Sequence, residues 1–292
     1  MIFKGCATAI ITPLTSDGGA VDFDSFKKLI EFQIKNEVDA IVVLGTTGAP
    51  STLSEVEREE VLRFAVKTVA GRIPVIAGAG SNSTQEAVEN CKKYQQLGAD
   101  ALLCVTPYYN KCTQSGLVEH FSKIAEATTL PIILYNVPQR TGLNMLPKTV
   151  KELLKHKNIV ALKEANSDID QVAEVIKLCP SLDVYAGNDS MALPVMALGG
   201  KGVISVASNV VPKQMKGLCK AFFKKDLTRA QKIQLELLPL IRALFCETSP
   251  IPTHAALNLM GKCKQTLRLP LTPMEEKNRE LLKKELENLK LI

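Results

Sequence analysis

The sequence is poor in residues that hold metals. Its three histidines, His120, His156 and His254, are widely spaced, and none forms an HExxH pair. No metal site is expected, and zinc-dependent aldolases and hydrolases fit poorly. Cysteine pairs at metal or redox spacing are missing too. The eight cysteines (Cys6, Cys91, Cys104, Cys112, Cys179, Cys219, Cys246, Cys263) are scattered with no CxxC. In a chain this long they read as free thiols in a reducing compartment, not as a disulfide framework. No apolar run approaches the ~18 residues that span a bilayer. The opening MIFKGCATAIITPL lacks the basic head and small-residue cleavage site of a signal peptide. The expectation is a cytoplasmic protein with no membrane partner. GxGxxG and GxxxxGK[ST] are absent, and "GAGSNS" at 78–83 fits neither. The net charge of +6 comes from lysines and arginines interleaved with acids, as in "MEEKNRELLKKELENLK". That is a solvated helix face rather than a nucleic-acid patch.

What is present is a series of short apolar runs. They are "GCATAIITP" (5–13), "DAIVVLGTTG" (39–48), "IPVIAGAG" (73–80), "ADALLCVTPYY" (99–109), "LPIILYNVP" (130–138), "IVALKEA" (159–165), "LDVYAGN" (182–188) and "GVISVAS" (202–208). Each is near-continuously apolar rather than alternating, as strands buried on both faces in a parallel sheet are. Helical patterns lie between them. Ser54 with Glu57, and Ser83 with Glu86, read as capping boxes, and Gly98 as a helix stop. The runs start roughly every 20–34 residues, about one βα unit each. The fold class is therefore α/β, with a (β/α)8 TIM barrel over residues 1–224 as the catalytic domain. A doubly wound open sheet competes, because pattern alone does not close a barrel. Beyond residue 224 strand signals stop. Residues 225–292 read as a C-terminal helical extension, with Thr272, Pro273 and Glu275 opening its last helix.

In such a barrel the active site lies at the C-terminal strand ends, and the polar residues here gather at those ends. The second run ends in Thr46-Thr47, the fourth in Tyr108-Tyr109, the fifth in Tyr135-Asn136 with Arg140 just beyond, and the seventh in Gly187-Asn188-Asp189. Three of the five tyrosines fall at two of these ends, which chance placement rarely produces. The sixth run carries Lys163. One reading has it snorkelling out of the strand or pairing with Glu164. The other makes it a nucleophile. An ordinary lysine amine is neutral in only about one molecule in 2,500 at pH 7. An apolar wall raises that fraction by disfavouring the ammonium. A neutral amine attacks a keto group to form a Schiff base, which needs no metal. Tyr135 is then either a core tyrosine or the proton shuttle. Thr46 and Thr47 either fill strand-end hydrogen bonds or relay a proton and hold a carboxylate. Arg140 is either a surface helix-start residue or a bidentate grip on a carboxylate. Ser205 and Asn188 read as structural.

The motifs "GTTG" (45–48), "VTPYYN" (105–110), "YNVPQRTG" (135–142), "LKEA" (162–165) and "GVISVASN" (202–209), in that order, resemble the dihydrodipicolinate synthase family of the pyruvate-dependent class I aldolases. The similarity runs from about residue 3 to the C-terminus. The arginine of "YNVPQRTG" separates this family from the sialic acid and sugar-acid lyases. The resemblance implies a lyase that condenses pyruvate with L-aspartate 4-semialdehyde in lysine and diaminopimelate biosynthesis. It implies no cofactor beyond a covalent Schiff base between Lys163 and pyruvate. By the same resemblance Tyr135 is the proton donor and acceptor. Thr46 relays protons with Tyr135 and with Tyr109 from a neighbouring subunit. Thr47, the backbone at Ile204, and Gly187 meet substrate, and Arg140 meets the aldehyde. The implied assembly is a homotetramer, a dimer of dimers. Two departures stand out. Ala49-Pro50 follows "GTTG" where the family has a glutamate first. Glu55 and Arg58 stand where lysine-inhibited members have histidines, although Asn82, Glu86 and Tyr108 fit that inhibitor site. This argues against strong feedback by lysine.

Overall fold

Every apolar run becomes a strand in the computed structural model, which describes all 292 residues. The strands are β1 (Gly5–Ala9), β2 (Ala40–Val43), β3 (Val75–Gly78), β4 (Ala101–Val105), β5 (Ile132–Asn136), β6 (Ile159–Glu164), β7 (Asp183–Ala186) and β8 (Gly202–Ser205). Each pairs in parallel with the next, and β8 pairs with β1, so the sheet closes. Closure removes the edges that an open sheet would have to protect. The strands are shorter than the runs. The surplus residues, such as Ile10–Pro13 and Thr106–Tyr109, leave the sheet at the C-terminal mouth.

The inward positions are mostly small or branched: Ala7, Ala9, Ala40, Val42, Ile76, Ala101, Ile133, Ala161 and Ile204 are buried together inside the barrel. These five alanines on one interior leave room that larger side chains occupy. At the N-terminal end Tyr185 and Phe3 fill it, stacked with ring centroids 4.2 Å apart. The outward face packs a larger core against the helices.

The barrel helices are α1 (Phe23–Lys35), α2 (Glu55–Val69), α3 (Thr84–Gln96), α4 (Gln114–Glu126), α5 (Pro138–Thr141), α6 (Pro147–Leu153), α7 (Ile169–Leu178), α8 (Ala192–Ala197) and α9 (Pro212–Phe223). At α2 the capping box is complete: Glu57 N donates to Ser54 Oγ and Ser54 N to the Glu57 carboxylate, worth about 1 kcal/mol to the helix start. At α3 only half forms. Glu86 N reaches Ser83 Oγ, but the Glu86 carboxylate is taken by Ser81 Oγ at 2.7 Å and faces Arg58 at 3.5 Å.

The extension comprises α10 (Leu227–Ala243), α11 (Ile251–Leu259) and α12 (Glu276–Asn288). It is tied into the barrel. Gln234 of α10 donates to the Asp189 carbonyl and accepts from Leu193 N. Arg268 clamps Glu57 with two bonds, 2.7 and 2.8 Å, and holds that carboxyl down at about 2. The expected opening of α12 at Thr272-Pro273 is not what forms. The helix begins at Glu276, Thr272 and Pro273 lie before it, and the Glu275 N–H is satisfied from outside by the Glu247 carboxylate at 3.1 Å. A carboxylate at the positive end of a helix does the work a local cap would have done.

Candidate active site

Side chains alternate across a strand. On β6 that alternation sends Ala161, Lys163 and Ala165 inward and Leu162 and Glu164 outward. Lys163 pairs in register with Tyr135 on one side and with Tyr185 on the other. Its side chain is 4% exposed, and its Nζ lies over the Tyr135 ring, 4.3 Å from the centroid. The ring face attracts an ammonium by about 0.5–2 kcal/mol and leaves the amine's outer side open to the mouth.

Glu164 is not the counter-ion of Lys163. Its carboxylate lies behind the barrel wall, where it accepts from Asn136 Nδ2 at 3.0 and 3.1 Å, from Asn166 N at 2.7 Å and from Gln171 Nε2 at 3.2 Å. Burial pushes its pKa above the ordinary carboxylate value, and the donors from Asn136, Asn166 and Gln171 only partly oppose this. Asn136 follows Tyr135 and Glu164 follows Lys163, so this bond ties together the strand ends that carry both inward groups. Asn144 extends the network to Asn136 and Gln171. The amides that hold Glu164 were not foreseen from the sequence; their only signal is that polar residues alternate with Tyr135 and Lys163.

Beyond β2 the chain turns sharply. Leu44 adopts φ 58 and Ala49 φ 48, left-handed values that are costly for residues with a Cβ. Between them a 3-10 turn, Thr46–Gly48, brings both threonines to the mouth. The close approach of β3 that supports this needs glycine, since a Cβ on Gly78 would sit 2.1 Å from the Leu44 carbonyl oxygen. Gly187 is equally constrained, because its Cβ would meet that of Ala165 at 2.6 Å.

Thr46, Thr47, Tyr135, Arg140, Lys163 and Gly187 line one cavity of about 430 Å³ at the C-terminal mouth. Arg140 projects from α5 and donates from Nη2 to the Ser249 carbonyl at 2.9 Å, so the α10–α11 connection forms the far wall. Asn188 lines the same cavity while donating to the Ala165 carbonyl at 3.1 Å. A second cavity of about 290 Å³ shares Thr46, Tyr135 and Arg140 and continues to Arg58, Glu86 and Tyr108. Asn82 donates to the Tyr108 carbonyl at 3.1 Å, whereas Glu55 pairs with Lys93 on α3.

Two expected site residues stand apart. Ile204 is fully buried inside the barrel and its side chain does not line the cavity. Tyr109 is 93% exposed at φ 70 and reaches neither Thr46 nor Tyr135 within its own chain. Two carboxylates in the region had no role assigned from the sequence, although Asp189 was placed at the end of the seventh run. Asp189, buried, accepts from Val206 N at 3.1 Å and Ala207 N at 2.9 Å and so fixes the end of β8. Glu247 lines the same cavity as Lys163; an acid in the "FCETSP" connection has no spacing signal to mark it.

A closed (β/α)8 barrel whose C-terminal mouth gathers a lysine, a tyrosine and an arginine around one cavity is the layout of a barrel enzyme. The sequence profile of the Dihydrodipicolinate synthetase family matches residues 2–289. The chain belongs to that family. The 4-hydroxy-tetrahydrodipicolinate synthase of Caldicellulosiruptor bescii is 53% identical over 285 residues, covering 98% of this chain and 96% of that protein. The enzyme of the same name from Acetivibrio thermocellus is 53% identical over 292 residues, covering 100% and 99%. Among solved structures, the dihydrodipicolinate synthase of Thermotoga maritima is 45% identical with a TM-score of 0.97, covering 100% of both chains. That of Acinetobacter baumannii, a chloride-inhibited enzyme in complex with pyruvate, is 44% identical with a TM-score of 0.97, also covering 100% of both.

Proposed function

We propose that the chain is a lyase that condenses pyruvate with L-aspartate 4-semialdehyde to give 4-hydroxy-tetrahydrodipicolinate, a step toward diaminopimelate and lysine. The observation that carries this reading is the buried Lys163 amine over Tyr135, facing a cavity with Arg140 on its wall, in a chain of this family. Lys163 Nζ attacks the keto carbon of pyruvate, and water leaves as the imine forms. Tyr135 moves protons at the carbinolamine, with Thr46 beside it as relay. Loss of a methyl proton gives an enamine, whose carbon forms the new C–C bond to the aldehyde. The substrate's own amino group then attacks the imine carbon and expels the lysine, so the chain turns over with no cofactor.

The pyruvate carboxylate is assigned to Thr47 and the backbone at Ile204, with Gly187 giving it room. Arg140, anchored to Ser249 on one side, offers its remaining N–H groups to the aldehyde's carboxylate. Tyr109, exposed in the single chain, is assigned to the active site of a neighbouring copy in a homotetramer of two dimers. Residues 1–224 are read as the catalytic barrel and 225–292 as its extension, in a cytoplasmic enzyme. The direct test is product formation from the two substrates, followed by coupling to a reductase that consumes the cyclic product. Turnover that requires both substrates supports the reading. Cleavage of a sugar acid with no use of the semialdehyde would replace it with a sister aldolase.

A further inference from the structure

The cavity's charged lining is unequal. Fourteen residues wall it, and they include two basic side chains, Lys163 and Arg140, and one carboxylate, Glu247. Glu247 is half-buried in the connection between α10 and α11. Its Oε1 is held by Glu275 N at 3.1 Å and by Asn278 Nδ2 at 2.8 Å, both at the start of α12. No protein group bonds its Oε2. The extension thus fixes one oxygen of the carboxylate and leaves the other without a partner in the chain, in a residue that lines the cavity.

We propose that Glu247 is a specificity-determining residue that receives the α-ammonium group of the aldehyde substrate. The inference rests on the function proposed above and deepens it. The substrate carries a carboxylate and an ammonium on one carbon, so their partners must stand side by side. Arg140 and Glu247 line the same cavity, and Arg140 is bonded to the Ser249 carbonyl at 2.9 Å, two residues along the segment from Glu247. With Lys163 in the same cavity directing the aldehyde carbon, three contacts define the substrate's hand. The arrangement selects an amino aldehyde over the same aldehyde with hydrogen in place of the amino group. It also places the nitrogen that later closes the ring on a defined wall.

A cap on α12 and a substrate contact make different predictions for Glu247→Gln. The glutamine carbonyl still accepts from Glu275 N and Asn278 Nδ2, so the helix start survives while the charge is lost. The experiment measures kcat/KM for L-aspartate 4-semialdehyde and for 4-oxobutanoate, with saturating pyruvate, in the full-length wild-type and variant proteins. Thermal melting and borohydride trapping of pyruvate on the variant confirm that it is folded and forms its imine. The wild-type preference for the amino aldehyde should fall by about 10–100-fold in the variant, the range of a lost hydrogen bond to a charged group. It should be partly restored by Glu247→Asp. An unchanged preference overturns the assignment. A wild-type protein that uses neither aldehyde overturns the proposed function itself, and the assignment with it.

Discussion

The barrel has a tyrosine near each end, and their surroundings are opposite. Toward the N-terminal end Tyr185 stacks on Phe3, and its hydroxyl donates to the Phe3 carbonyl at 2.6 Å. Burial pushes its pKa up. Across β6, Tyr135 lies over the Lys163 amine, borders two cavities, and has no hydrogen-bond partner within the chain for its hydroxyl. Both rings face inward and both pair in register with Lys163. The difference is what fills the space beyond. Phe3 plugs one end, while the β2 and β5 turns hold the other open. A phenol with a satisfied hydroxyl and no solvent is structure; one bordering a cavity beside an amine is available for proton transfer.

The contrast can be broken by substitution, starting at the reactive end. Lys163→Ala should lower turnover by on the order of 10⁴-fold or more, as loss of a covalent nucleophile does, while thermal melting shows the chain still folded. Tyr135→Phe should cost about 10²–10⁴ in kcat, the range of a general acid–base group. Its melting temperature should stay close to wild type, because no hydrogen bond within the chain is lost. Arg140→Ala should lower kcat/KM for the aldehyde by roughly 10–100-fold while pyruvate still forms its imine; a matching loss of imine would place Arg140 in the first half-reaction instead. Tyr185→Phe should do the reverse of Tyr135→Phe. It should cost about 1–3 kcal/mol of stability by orphaning the buried Phe3 carbonyl, with kcat changed by less than about twofold, read from denaturant unfolding and steady-state rates.

The reactive end was the more legible of the two in the sequence. Lys163 breaks an apolar run, and Tyr135, Thr46 and Arg140 sit where strands give way to turns, so position and polarity coincide. The plug was not legible. Phe3 precedes the first strand by two residues, and its partner Tyr185 lies 182 residues on; only closure of β8 onto β1 brings them together. The carboxylates show the same limit. Glu164 is placed by alternation, yet the groups that hold it come from Asn136 on β5, Gln171 on α7 and the Asn166 N–H just past β6. Asp189 and Glu247 act through backbone N–H groups on other elements, contacts that no local pattern encodes. The α12 start was misread for that reason, since its cap is supplied from residue 247 rather than from the residues before it. Tyr109 is the converse case: its role was inferred by resemblance, and in the single chain it is exposed and left-handed.

The central claim is that Lys163 is the amine that carries pyruvate. Borohydride reduction of the protein in the presence of pyruvate alone, followed by intact-mass and peptide analysis, tests it most directly. One reduced pyruvate per chain, on the peptide containing Lys163 and absent from Lys163→Ala, is the predicted result. No adduct, or an adduct on another lysine with Lys163 free, would contradict it.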